Sequence, residues 1–125
     1  DDILLCQQLV ISWAPVIPYM PAMNTPLAAE GGPGDLLTAW KEIALLRLMI
    51  PDVNITAQQP GKILKNGLND DFGNQKAIDA GANVLFCDFL PDIKARNFRV
   101  IDYRNVTGTS HLYHIAELTH MNLKF

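Results

Sequence analysis

Short runs rich in apolar residues, separated by helical patterns, most constrain the fold of this chain. The runs are VISWAPVIPY from Val10, VNITAQ from Val53 and NVLFCDFL from Asn83. The first and last are apolar on both faces, which is typical of parallel strands covered on both sides. Strand, helix, strand, helix, strand with short connections is the order of βα units, so the sequence predicts an α/β fold with a parallel sheet.

Helical patterns occupy the intervals between these runs. Residues 1–9 predict the end of a helix, and NQKAIDAG predicts a short helix that ends on Gly81. Asp35 is placed to cap a longer helix that reaches about Ile50, where Pro51 ends it. Its predicted inward positions are Leu36, Leu37, Trp40, Ile43, Ala44 and Leu48, and its predicted outward positions are Lys41, Glu42 and Arg47.

The last part of the chain has a different pattern. RNFRVIDYR alternates apolar and polar residues, which predicts a half-exposed edge strand. SHLYHIAELTHMNLKF predicts an amphipathic helix with Leu112, Ile115 and Leu118 on its apolar face. We therefore expect an α/β unit over residues 1–92 and a C-terminal strand-plus-helix extension over 93–125.

Composition excludes several classes of function. The 125 residues are 49% hydrophobic and 18% charged, which is ordinary for one globular domain. A net charge of -3 without a basic cluster argues against a nucleic-acid or anionic-membrane partner. No apolar run approaches the roughly 18 residues of a membrane span, and DDILLCQQL is acidic where a signal peptide begins basic, so we expect a cytoplasmic protein.

Polar residues that follow the predicted strands are candidates for a binding site, because ligands lie at the carboxyl ends of parallel strands. The first such loop is the proline-rich segment 15–35, whose Tyr19, Met20, Asn24 and Thr25 would face this edge. The alternative is that its prolines only shape a chain reversal.

The second and third strands also end in polar residues. Thr56, Gln58 and Gln59 carry neutral groups suited to orienting a polar substrate by hydrogen bonds, and the alternative is a solvated strand end. Asp88 is either a ligand for a polar substrate or a cap of the next turn, whereas Cys87 is more typical of a small core residue.

Metal binding is not predicted for this chain. Cys6 and Cys87 are too few and too far apart for a metal knuckle or a disulfide scaffold. His111 and His114 share a helix face, but Glu117 is the only candidate third ligand. We interpret the histidines as surface or partner-facing groups.

Four stretches, taken in order, resemble a known family. They are DDILLCQQL, PVIPYMPAMNTPL, WKEIALLRLMIPDVNITA and AIDAGANVLFCDFLP. The last three are similar, respectively, to a P-x-I-P-x-x-x-T-P-L strand end, a helix that ends in R-x-x-x-P and an A-G-A-N strand entry. Together they resemble the C-terminal part, called the biotin and thiamin synthesis associated domain, of biotin synthase-like radical S-adenosylmethionine enzymes. The resemblance covers about residues 1–92.

This resemblance implies a partial (β/α) TIM-type barrel that holds the last three strands, since a complete barrel needs about 250 residues. It implies S-adenosylmethionine and a [4Fe-4S] cluster in the complete enzyme. The cluster's three-cysteine motif is absent from this sequence, so this chain alone is expected neither to hold the cluster nor to cleave S-adenosylmethionine. The implied cofactor-binding residues are Val16, Pro18, Tyr19 and Met20.

One departure narrows the family branch. Gln59 stands where biotin synthase has an arginine that helps to hold a second cluster. The chain is therefore more similar to the branches of the hydrogenase maturase, the pyrrolysine-pathway mutase and the methanogen enzyme of iron-guanylylpyridinol cofactor synthesis.

Three functions remain open on the sequence alone. The first is the substrate-side part of a radical enzyme of cofactor biosynthesis, which would need its N-terminal barrel half or a second copy of the chain to cover an open sheet edge. The second is a stand-alone α/β binding or assembly module without radical chemistry. The third is another small α/β enzyme that uses Asp88 as an acid or base.

Overall fold

The computed structural model describes residues 1–87, 89, 92–95 and 108–125. The helices are α1 (Asp2–Gln8), α2 (Pro26–Glu30), α3 (Leu36–Met49), α4 (Asp71–Asp79), α5 (Asp92–Ala95) and α6 (Thr109–Leu118), with a 3-10 helix at Leu64–Asn69. The strands are β1 (Trp13–Ala14) and β2 (Asn54–Ile55). The predicted α/β class is confirmed, whereas RNFRVIDYR lies outside the described residues.

The sheet is parallel, as predicted, but it is small. Trp13 pairs with Asn54, and Ala14 pairs with Ile55. The third predicted strand joins β2 through a single parallel bridge between Thr56 and Val84. The described residues therefore form a mixed α/β arrangement around a two-strand parallel sheet.

Two features explain why the strands are shorter than predicted. Pro15 and Pro18 lack the N–H group that a longer β1 would donate to the ladder. At the third run, the Asn83 side chain takes the place of a backbone partner, since its Oδ1 accepts the Ile55 N–H at 2.8 Å. The apolar pattern identified the strand positions but did not reveal these local interruptions.

Helix α3 begins and ends where the sequence predicts. Asp35 Oδ2 accepts hydrogen bonds from the Thr38 hydroxyl at 2.7 Å and from its backbone N–H at 2.8 Å. These bonds, the hydroxyl's first, favour the ionised carboxylate and lower the pKa of Asp35. Ile50 forms the C-terminal cap, directly before Pro51.

The predicted inward face of α3 is partly wrong. Its buried residues are Ala39, Ile43 and Leu46, whereas Leu37 and Leu48 are exposed. Because apolar residues occur around most of this helix, their periodicity does not select one face. Arg47, predicted to point outward, is half-buried, and its Nε donates to Gly81 O at 2.9 Å.

Helix α4 begins at Asp71, earlier than predicted, because Asp70 caps it by accepting the Gly73 N–H at 3.0 Å. Gly81 follows its C-terminal cap with φ at +114°, which confirms the predicted glycine stop. A Cβ on Gly81 would lie 2.8 Å from Arg47 Cβ, so α3 also packs closely against this turn.

The core lies between one face of the sheet and the helices α3 and α4. Its members are small or β-branched for the most part: Ala14, Ile43, Leu46, Val53, Ile55, Ala57, Ala77 and Ala82. Helix α6 buries Leu112, Ile115 and Ala116, whereas Leu118, predicted to face inward, is exposed. Within the described ranges, no helix is long and apolar enough to cross a membrane.

Candidate functional site

Three of the four buried polar side chains among the described residues lie at the end of β2. Thr56 and Gln59 are fully buried, and Gln58 is 5% exposed. This burial removes the alternative of a solvated strand end. All three residues were predicted as substrate-binding groups, and the structure places them together at the carboxyl end of one strand.

Two side-chain amides connect this strand end by hydrogen bonds to the segment after β1 and to the third run. Gln59 Nε2 donates to the carbonyl of Val16, which follows β1. Gln58 Nε2 donates to the carbonyl of Phe86, in the third run, at 2.6 Å. A carbonyl oxygen only accepts, so it fixes which end of each amide faces it. The other end of each amide, Oε1, is thereby assigned as well.

Three oxygens at this strand end have no hydrogen-bond partner among the described residues. They are Thr56 Oγ1, Gln58 Oε1 and Gln59 Oε1, and each is buried. A buried polar atom without a partner costs about 1–3 kcal/mol, so natural proteins retain few of them. Unpartnered buried oxygens are expected where a ligand, an ion or ordered water completes the hydrogen bonds.

The predicted cofactor residues Val16, Pro18, Tyr19 and Met20 are half-buried and follow β1 directly. Gly34 folds back onto this segment and donates its N–H to Tyr19 O at 2.8 Å. A Cβ on Gly34 would lie 2.7 Å from Tyr19 N, so the approach requires glycine. The segment forms a mostly apolar wall that Gly34 and Gln59 hold in place. The carbonyls of Val16 and Tyr19 already accept hydrogen bonds from these two residues.

Asn24 and Thr25 serve the local backbone. Thr25 Oγ1 accepts the Ala28 N–H at 3.3 Å as the cap of α2 and donates to Ala22 O at 2.8 Å. Asn24 adopts a positive φ of 65° in the turn before this helix. Both residues are exposed, in contrast to the buried end of β2.

The residues present do not fit an iron–sulfur cluster. Cys6 lies in α1 and Cys87 lies within the third run, and both are half-buried. Within the described ranges, no group of three or more His, Cys, Asp or Glu side chains is arranged to hold a metal ion. Asp88, predicted to bind substrate, lies outside the described residues.

The paired histidines of α6 face a carboxylate that the sequence did not indicate. His114 Nε2 lies 3.1 Å from one oxygen of Asp71, and His111 Nδ1 lies 3.7 Å from the other. Asp71 is in the first turn of α4, so these contacts join the C-terminal helix to the α/β unit. The acidic residue that contacts both histidines is therefore Asp71 and not Glu117.

The burial of His111 makes the stability of the folded chain sensitive to acid. Desolvation lowers the pKa of His111 below 6.5, although the Asp71 carboxylate opposes that shift. A histidine whose pKa is lowered by folding contributes stability that is complete above about pH 6.5. This contribution is lost as the pH falls through the folded-state pKa. We therefore expect a His111→Gln variant to lose less stability between pH 7 and pH 5 than the wild type, measured by urea unfolding at each pH.

His120→Asn is the control for this prediction, because His120 is exposed and asparagine tolerates its positive φ of 54°. Its pH profile should match that of the wild type. Equal pH profiles for the wild type and His111→Gln would contradict the assignment to His111.

A cavity of about 660 Å³ lies beside α6, and sequence reasoning did not predict it. Its lining is mostly apolar and includes Ala57, Leu85, Leu112, Ala116 and Phe125. This volume lies in the range of small-molecule pockets. Its lining residues belong to segments far apart in the chain, which is why no local motif marked it.

Comparison with known proteins identifies a distant sequence similarity. No family profile matches the sequence. The chain is 31% identical over 91 residues to the [FeFe] hydrogenase maturase subunit HydE of Thermotoga maritima, a match that covers 73% of this chain and 24% of the maturase. The chain thus spans about a quarter of the length of the curated relative it matches. This similarity supports a distant relationship to the radical S-adenosylmethionine enzymes.

Proposed function

We propose that the chain is the C-terminal, substrate-side part of a radical S-adenosylmethionine enzyme of cofactor biosynthesis. In this role it closes a (β/α) barrel and lines the cavity that holds S-adenosylmethionine and the substrate. The 31% identity to a maturase over 91 residues and the parallel order of β1 and β2 support this proposal. Residues 1–92 would correspond to the biotin and thiamin synthesis associated domain, and we place the enzyme in the cytoplasm.

The observation that carries the proposal is the pair of glutamine amides. Through Gln59, the end of β2 contacts Val16 in the predicted cofactor wall, and through Gln58 it contacts Phe86 in the third run. One strand end thereby joins the predicted cofactor and substrate residues. A site assembled from several strand ends is the general arrangement of barrel enzymes.

The residues of this chain would bind the cofactor and orient the substrate. The radical chemistry would come from S-adenosylmethionine and a cluster held by the N-terminal half. The wall at Val16, Pro18, Tyr19 and Met20 would pack against the cofactor. Thr56, Gln58 and Gln59 would orient a polar substrate by hydrogen bonds. The packed helices behind the sheet would keep water from a reactive intermediate.

The proposal is tested first by the reading frame that precedes Asp1. We expect a C-x-x-x-C-x-x-C motif, or a similar group of three cysteines, within the length of an N-terminal barrel half. The protein encoded by the complete frame, reconstituted with iron and sulfide, should then form 5′-deoxyadenosine from S-adenosylmethionine under reducing conditions. A frame without the cysteines would exclude this function.

An exposed apolar face favours a partner for the chain. Leu4, Leu5, Leu9 and Val10 are all more than half exposed along and just after α1. A group of exposed large apolar side chains close together in the sequence is typical of an interaction site. We propose that the N-terminal barrel half covers this face in the enzyme and that a second copy covers it when the chain is alone.

The same face would serve a stand-alone assembly module, which is the second candidate function. We expect the isolated chain to form dimers and the Leu5→Glu variant to dimerise at least tenfold more weakly, by light scattering over a concentration series. Gln8→Glu adds the same charge to an exposed position of the same helix and should change dimerisation little. A wild-type chain that stays monomeric at high concentration would contradict a partner face here.

A further inference from the structure

The cavity beside α6 is separate from the predicted cofactor and substrate residues. Its volume is about 660 Å³, and its described lining contains none of the residues that were predicted to bind the cofactor or the substrate. The lining comes instead from residues 54 and 57, the end of α4, the third run, α6 and the segment that follows α6. The cavity is therefore a second candidate site with its own chemistry.

The buried part of this lining is aliphatic. Ala57, Leu112 and Ala116 are buried, and Val84 and Leu85 are half-buried. All five residues line the cavity. Because their side chains offer no hydrogen bond, the occupant that they favour is apolar.

Large apolar side chains are exposed around the same cavity. Phe86, Phe89, Met121 and Phe125 all line it, and they are between 48% and 90% exposed. One exposed apolar side chain is ordinary in a soluble protein, whereas a group of them at one concave site is typical of a binding surface. A ligand in the cavity would remove part of this apolar area from water, and that burial would supply most of its affinity.

Polar side chains of the lining are largely paired within the chain. Asn83 Nδ2 donates to Asn54 Oδ1 at 3.3 Å, and Asn83 Oδ1 accepts the Ile55 N–H at 2.8 Å. The Thr119 hydroxyl donates to Ile115 O at 2.7 Å. These bonds leave little hydrogen-bonding capacity for a polar ligand body, which again favours an apolar one.

Lys124 gives the cavity a charge preference. It is exposed, and it is the one charged residue of the described lining. None of the ion pairs among the described residues includes it. An anionic ligand end beside this ammonium would be attracted, whereas a cationic end would be repelled. Because the ammonium is exposed, the attraction changes affinity only a few-fold.

We propose that this cavity binds an apolar molecule with one anionic end, of the class of medium-chain carboxylates. The hydrocarbon chain would lie against Leu112 and Ala116, and the carboxylate would lie near Lys124. The volume is in the range of small-molecule pockets, so a chain of about eight carbons fits within it. This inference goes beyond the proposed function and does not depend on it, because the cavity residues are not those of the proposed substrate site.

The test uses the full 125-residue chain and probes of equal chain length: sodium octanoate, octylammonium chloride and 1-octanol. Assigned methyl resonances of Ala57, Leu112 and Ala116 report occupancy, and that of Ala29 in α2 is the reference outside the cavity. We expect saturable shifts of the cavity methyls with octanoate and at least fivefold weaker binding of octylammonium. Hexanoate should bind about tenfold more weakly than octanoate, because each CH₂ group removed from water contributes roughly a factor of three to four.

Charge reversal tests the role of Lys124. Lys124→Glu should weaken octanoate binding at least fivefold, strengthen octylammonium binding and leave the affinity for 1-octanol unchanged. Lys41→Glu is the control, since it makes the same change at an exposed position outside the described lining, and its affinities should match those of the wild type. Both positions are exposed, so we expect both variants to keep the wild-type Tm.

Four outcomes would overturn the proposal. Equal affinities for octanoate and octylammonium would exclude an anion-selective site. The absence of saturable shifts at the cavity methyls, or equal shifts at Ala29, would exclude a site for apolar carboxylates in this cavity. Shifts of the same methyls when the chain is concentrated without any probe would assign the cavity to self-association instead.

Discussion

Replacement of Gly73 by alanine is expected to lower the free energy of unfolding by about 3 kcal/mol, because the added methyl group meets only backbone. A Cβ at this position would lie 2.4 Å from Pro60 O and 2.5 Å from Gln59 O. Neither atom can turn aside as a flexible side chain would. The first turn of α4 or the end of β2 must therefore move. Urea denaturation at pH 7 measures the loss as a lower midpoint with an unchanged slope.

Gly32→Ala is the matched control for this experiment. Gly32 is exposed, and a Cβ there would meet no atom within 4 Å. The same substitution should be neutral or stabilise the chain by up to about 1 kcal/mol, through the lower entropy of the unfolded state. If Gly73→Ala unfolded at the same urea concentration as Gly32→Ala, α4 would not pack against the strand end as described.

Gln59→Glu should be comparably destabilising at neutral pH, with a loss of about 3 kcal/mol or more. The substitution places a carboxylate in a fully buried position and removes the donor to the Val16 carbonyl. Burial raises the pKa of the introduced carboxyl above its ordinary value of about 4.3. Its protonated form can again donate to that carbonyl.

The sign of the pH dependence follows from this raised pKa. The contribution of the introduced carboxyl is most favourable below about pH 4.3 and is lost as the pH rises through the folded-state pKa. The difference in unfolding free energy between wild type and Gln59→Glu should therefore be smallest in acid and largest at pH 7. Gln59→Met, which lacks a charge, should show a loss that does not change with pH. A constant difference for Gln59→Glu as well would mean that position 59 is accessible to water.

Local signals were sufficient to predict the boundaries of α3, the glycine stop of α4 and the parallel direction of the strands. Asp35 and Gly81 act within one helical turn, so their effects are readable from neighbouring residues. The strand positions followed from the apolar runs, although their length did not, because Asn83 competes for a ladder hydrogen bond through tertiary contact.

The candidate site was predictable in its residue types and not in its contacts. The run of Thr56, Gln58 and Gln59 at a strand end indicated a polar binding site. Which atoms of these residues are used and which remain depends on Val16 and Phe86, which are 43 and 28 positions away. The contact between His114 and Asp71 also spans 43 positions. Sequence patterns with helical or strand periodicity carry no information about such pairs.

The side-chain hydrogen bonds of Gln58 and Gln59 also determine when the candidate site forms during folding. Each closes a long loop, and together they connect positions 16, 58, 59 and 86. Contacts of such high sequence separation form only after the intervening elements have packed, so they belong to the last stages of folding. Local opening of any one of the three connected segments would break one of these hydrogen bonds and expose a glutamine side-chain amide to water. We therefore expect the candidate site to open together with these three segments, and hydrogen exchange at the end of β2 should report that opening.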